Sequence, residues 1–180
     1  MMYSKFIFAV FALSCMMPFC QAEQKFTITS TSFDANGKIP AQYTMIDDNI
    51  NISPQLSWEN APAGTKSFVI TCIDPHPVAK NWVHWVIINI PAGITTLPEK
   101  VSLQKITTKA VELKNSYGVM GYGGPNPPTG TGIHDYVFTI YALNVSEVKA
   151  VKSFLTEKQL LQLLGDKIIG QASITGKCGR

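Results

Sequence analysis

The sequence is poor in charge. Only 15% of its 180 residues are Asp, Glu, Lys or Arg, and the excess of basic over acidic groups is a formal +3. The basic residues are scattered, so no stripe exists that would neutralise a nucleic-acid backbone, and nucleic acid is excluded as a partner. Internal repeats and low-complexity tracts are absent. So are a G-x-S-x-G nucleophile turn and a P-loop, which removes the two commonest sequence signs of acyl or phosphoryl transfer. Apolar side chains make up 46% of the chain, enough for one core at this length and not comfortably for two, so a single domain is expected.

Long hydrophobic runs are also lacking. The longest, Phe6 to Met17, follows Lys5 and falls short of the roughly 20 residues needed to span a bilayer. Cys20-Gln21-Ala22 then places small residues where a signal peptidase reads, so residues 1–22 are read as a signal peptide and 23–180 as the domain. Lipoprotein processing at Cys15 or Cys20 is the alternative. On the first reading the protein is exported, to the periplasm in a bacterium, and the mature chain has no transmembrane segment. Of the four cysteines only Cys72 and Cys178 then remain. In an oxidising compartment that pair is a disulfide candidate, against the reading of two buried thiols acting as small hydrophobes.

What the chain does have is a polar turn joined directly to an apolar strand, CIDPHPVAKNWVHWVIINIP, over 72–91. Val83 to Ile90 is rich in β-branched and aromatic residues and Pro91 closes it, which predicts a strand buried on at least one face. Strict alternation would put Trp82, His84, Val86 and Ile88 on one side and Val83, Trp85, Ile87 and Asn89 on the other. His84 among so much apolar surface needs a hydrogen-bond partner, and Asp74, at hairpin distance, is the nearest candidate. Pro75 and Pro77 stiffen the turn that carries His76.

Phe26 to Ser30 and Ser67 to Ile73 read as strands, Asn51 to Trp58 as an edge or corner segment, and Tyr136 to Leu143 as a further dense β run. Residues 92–120 give few signals. Thr156-Glu157-Lys158-Gln159 has capping-box spacing, and Leu160, Leu161, Leu163, Leu164, Ile168 and Ile169 continue at helical spacing, interrupted by Gly165 and Gly170. That helix is expected to cover a sheet, with a short strand over Ala172 to Thr175 after it. The residues alone therefore give a mostly-β domain with one late helix.

All three histidines lie in or beside segments bounded by prolines and glycines. In GYGGPNPPTGTGIHDY, 121–136, the prolines stiffen a glycine-rich loop whose free N–H groups would point at an anion. His134 and Tyr136 leave it on one strand face, with Asp135 on the other. Donors of that kind, with Asp74 to orient an imidazole, suit a small anion. A three-histidine zinc site lacks the tight ligand spacing such sites show, so neither metal nor cofactor is expected.

The order NISPQLSW, IDPHP, WVHWVIINIP, GYGGPNPPTGTGIHDYVFTIYAL, GQASITGKCGR resembles the phosphatidylethanolamine-binding protein family, in its bacterial Raf-kinase-inhibitor-like branch. The resemblance covers nearly all of the chain after residue 22. It implies a β-sandwich of a large and a small antiparallel sheet with a C-terminal helix, and a small pocket for a phosphate-like anion or phospholipid headgroup. Carried over by position, it implies ligand-binding roles for Asp74, Pro75, His76, His84, Gly124, His134 and Tyr136. His76 stands where the family has a second aspartate, and Asp135 where it has an arginine. Asn126, Lys167 and Cys178 replace the cysteine, histidine and tyrosine of bacterial relatives. A binding protein for such an anion is the first functional reading. A protein-interaction or inhibitor module acting on a kinase or protease through the same pocket is the alternative. A hydrolase comes last, because no nucleophile is evident beside the His and Asp residues.

Overall fold

The computed structural model describes residues 24–48, 50–104, 106–149 and 153–180. The proposed signal peptide lies outside the described residues.

Among the described residues eight strands form two antiparallel sheets, and one α-helix packs against them. The smaller has the order β1 (Thr27–Thr29), β2 (Leu56–Glu59), β5 (Thr96–Leu97). In the larger, β6 (Val111–Glu112), β4 (Trp82–Pro91), β3 (Ser67–Asp74), β7 (Ile133–Leu143) and β8 (Ile168–Gly179) follow one another across the sheet. Strand β3 is central, and every residue of SFVITCID is buried. This is what a strand covered on both faces requires, and its near-continuous apolar run allows it. Phe68, Ile70 and Cys72 face the smaller sheet and join Ile28, Leu56, Trp58, Phe138 and Ile140 in the inner core. Val69 points the other way, to an outer cluster with Val86, Ile88 and Leu143 that the helix α1 (Glu157–Leu164) covers with Leu160 and Leu164.

Helix α1 begins as the sequence predicts. Thr156 Oγ1 accepts from the Gln159 N–H while the Gln159 side chain accepts from the Thr156 N–H, closing a capping box. Its end differs from the expectation. Gly165 leaves the helix with φ +48°, and Ile168 and Ile169 open the twelve-residue β8 instead of extending the apolar helical face. The expected four-residue last strand is thus the middle of a long one, paired along β7 from Leu143↔Ile168 to Ile133↔Gly179.

Strand β4 also departs from strict alternation, twice. Cys72 pairs with Trp85 and Ile73 with Val83, so His84 is an extra residue opposite no single partner. A bulge of this kind resets the facing. Val83 consequently packs in the outer cluster while Trp85 packs in the inner one, although both belonged to one face on the sequence reading. A second irregularity between Ile87 and Ile90 carries Asn89 at φ +61°, its amide bonded to the backbone of Val148.

The two cysteines do not meet. Both are buried free thiols, Cys72 on β3 and Cys178 on β8, with β7 between them. Two strand spacings amount to about 10 Å, beyond the roughly 7 Å Cα separation a disulfide spans. The disulfide expectation is corrected accordingly.

Among the described residues no helix is long and apolar enough to cross a membrane.

Candidate functional site

One end of the larger sheet gathers the end of β3 and the starts of β4 and β7. There Asp74, Trp82, His84, His134 and Tyr136 line a cleft of about 250 Å³, with Tyr117, Asn126 and the Pro127-Pro128 pair closing it. Pro75, His76 and Gly124 are not among its lining residues. Tyr117 was not singled out by the sequence reading. It is set by the buried Asn115, whose Oδ1 accepts from the Tyr117 N–H and whose Nδ2 donates to the Gly121 carbonyl. The Asn-x-x-Gly spacing of that turn was the available signal.

Asp74 is buried and both of its oxygens are engaged. Oδ1 accepts from the His76 N–H at 2.9 Å, and Oδ2 lies 2.6 Å from His134 Nδ1, which donates to it. The partner expected from hairpin spacing was His84. Instead β7, the neighbour of β3 on its other side, delivers His134 to the carboxylate. The other nitrogen of His134, Nε2, is 2.9 Å from Thr131 Oγ1, whose hydroxyl also reaches the Pro128 carbonyl at 2.7 Å. Both ring nitrogens are therefore taken by the protein, and His134 is held in place rather than free to grip a ligand. His76 completes the arrangement from outside, its ring stacked on that of His134 with centroids 3.8 Å apart.

His84 has a different setting. Its Nδ1 donates to the Gly123 carbonyl at 2.6 Å, and its ring meets those of Tyr136 and Tyr117 edge-on. Burial lowers its pKa from 6.5 to about 4, outweighing the Gly123 bond and the Asp74 charge, which act upward. Burial, with Asp74 adding to it, pushes the Tyr117 phenol up to about 12 and the Tyr136 phenol upward as well, so both remain donors at neutral pH. The indole Nε1–H of Trp82 is buried and has no acceptor among the described residues.

The glycine-rich loop does not present a row of free amides. Gly123 N–H donates to the His84 carbonyl, Gly124 N–H to Asn51 Oδ1 and Gly121 N–H to the Leu113 carbonyl. The loop serves instead as a wall whose carbonyls hold His84 and, at 3.4 Å, the Tyr117 hydroxyl. Gly124 is needed for closeness. A Cβ there would run into the Tyr43 carbonyl oxygen and stand 2.8 Å from Asn51 Oδ1. Gly124→Ala is expected to lose about 1–3 kcal/mol in urea unfolding by this overpacking, with an unchanged m-value.

Asp135 lies on the opposite strand face, as the alternation predicts, and pairs with Lys177 at 2.8 Å. Asn126 Oδ1 accepts from Arg180, and Lys167 caps the end of α1 through the Leu163 carbonyl.

An antiparallel two-sheet sandwich with an aromatic cleft around a buried aspartate–histidine pair defines the class. Residues 29–179 match the family model described as phosphatidylethanolamine-binding protein, and the chain belongs to that family. It is 37% identical over 146 residues to a UPF0098 protein of Methanothermobacter thermautotrophicus, covering 81% of this chain and 93% of that one. It is 32% identical over 155 residues to LppC of Mycobacterium tuberculosis, named as a candidate lipoprotein, covering 86% of this chain and 73% of that one. The crystal structure of Escherichia coli YbcL, described as a member of the mammalian PEBP family, superposes with a TM-score of 0.80 at 32% identity. That match covers 87% of this chain and 99% of YbcL.

Proposed function

We propose that the cleft binds a small phosphate-like anion, either free or as the headgroup of a phospholipid, and that the protein acts outside the cytoplasm. The observation that carries the first part is a cleft lined by Trp82, whose Nε1–H is buried and left without an acceptor, and by two phenols that stay protonated. A buried donor without an acceptor costs about 1–3 kcal/mol, which an oxygen-rich ligand recovers. Among the described residues no Lys or Arg lines the cleft, which favours a ligand of low charge held by neutral donors. Family membership supports the same chemistry. The leader-like order of residues 1–22 and the name of the mycobacterial relative support export.

Calorimetric titration with inorganic phosphate and with O-phosphoethanolamine tests the reading. Binding to at least one is expected, weakened about tenfold by Trp82→Phe, the equivalent of one hydrogen bond of roughly 1.4 kcal/mol. Asp135→Ala, which removes a carboxylate paired with Lys177 on the far face, should leave it within about twofold. No heat with either compound, or affinity indifferent to Trp82→Phe, overturns the anion site.

A further inference from the structure

We infer that the cleft selects an oxyanion that brings its own hydrogen-bond donor, and that it discriminates against fully ionised oxyanions such as sulfate. The inference rests on the anion-site reading above and narrows it.

The argument starts at the Gly123 carbonyl. A carbonyl only accepts, so the 2.6 Å contact fixes the His84 proton on Nδ1. A ring with one proton then carries a lone pair on Nε2. Nothing around the ring favours a second proton strongly enough to offset burial. The groups facing it are Tyr136 and Tyr117, both held as neutral phenols, with Asp74 and His134 already paired to each other. His84 therefore lines the cleft as an acceptor, beside the Asp74 carboxylate, which can only accept as well.

An anion in this cleft meets donors on one side and acceptors on the other. Trp82 and the Tyr136 phenol suit its bare oxygens, whereas His84 and Asp74 oppose any further lone pair. Hydrogen phosphate resolves the conflict, because it keeps a proton near neutrality and can donate it toward the acceptor side. Sulfate has nearly the same size and the same charge as the phosphate dianion and no proton, so lone pairs face lone pairs. Unpaired buried acceptors are the most effective way for a site to reject a close analogue. A phosphodiester headgroup with an ammonium group meets the requirement by another route, with N–H donors in place of the acidic O–H.

The test is calorimetric titration of the purified domain at pH 8 with inorganic phosphate, sulfate, dimethyl phosphate and glycerophosphoethanolamine. Phosphate is expected to bind at least about tenfold more tightly than sulfate, the loss from one unmet hydrogen bond. Glycerophosphoethanolamine should exceed dimethyl phosphate by a similar factor if the natural source is a headgroup. If both pairs discriminate, the headgroup is the source, and if only the phosphate–sulfate pair does, the source is a free or terminal phosphate. Either supports the inference, whereas phosphate and sulfate bound alike overturn it. Equal binding within both pairs overturns it while leaving the anion site standing, and no binding by any of the four overturns the anion site itself.

Discussion

Asp74→Ala should destabilise the protein by about 2–5 kcal/mol, the larger of two effects centred on the cleft. The carboxylate is 3% exposed and satisfies two donors, the His134 Nδ1–H and the His76 backbone N–H. Alanine leaves both without a partner in a place where His134 has no exposed surface. Orphaning a buried donor costs about 1–3 kcal/mol, and breaking the pair costs about 3–5 kcal/mol when the ring is charged. Asp74→Asn keeps the shape but can accept at only one of its two ends, so it should fall between wild type and alanine. Urea unfolding monitored by tryptophan fluorescence gives the three values. An alanine variant within about 0.5 kcal/mol of wild type would show that the pair does not anchor the three strand ends.

The same pair shows where sequence reasoning succeeds and where it stops. Ser67–Ile73 and Tyr136–Leu143 were legible as strands because their β-branched and aromatic runs suit a surface buried on one or both faces. The start of α1 was legible from the four-residue capping box. The end of α1 was not, since Leu160, Leu164, Ile168 and Ile169 keep helical spacing across Gly165 and nothing local marks the switch to pairing with β7. Strands of two residues such as Thr96–Leu97 carry no periodicity at all and are fixed by their neighbours in the sheet.

For the site, residue type was legible and partnership was not. Asp74, His84, His134 and Tyr136 do line one cleft. Spacing along the chain nevertheless paired Asp74 with His84, because a hairpin neighbour is visible in sequence whereas the order β4-β3-β7 is not. The bulge at His84 was equally hidden. By inserting one residue between Val83 and Trp85 it sends those two to opposite clusters, and a strict period of two misassigns the faces of β4. The glycine loop was misread for a related reason. The sequence suggests free amides there, yet those of Gly121, Gly123 and Gly124 are used by Leu113, His84 and Asn51 to build the wall.

His84 supplies the second large effect, a loss of stability in mild acid. Its pKa is depressed from 6.5 to about 4 in the folded protein, with burial as the leading cause, while the unfolded ring titrates near about 6.5. Between those values the unfolded state binds the extra proton and the native state does not. The contribution is therefore fully present above about pH 6.5 and is lost progressively as pH falls toward about 4, for a total of about 3 kcal/mol. The wild-type curve sums over every titrating group and so does not isolate one ring. His84→Gln does, because glutamine can still donate to the Gly123 carbonyl and cannot take up a proton. Whatever offset the variant has at pH 7.5, its urea stability should fall less steeply below pH 6.5, and the gap between the curves should shift by about 3 kcal/mol in its favour by pH 4. Curves that stay parallel over that interval would mean that the ring is protonated in the native state, and the acceptor role given to its Nε2 would fall with it.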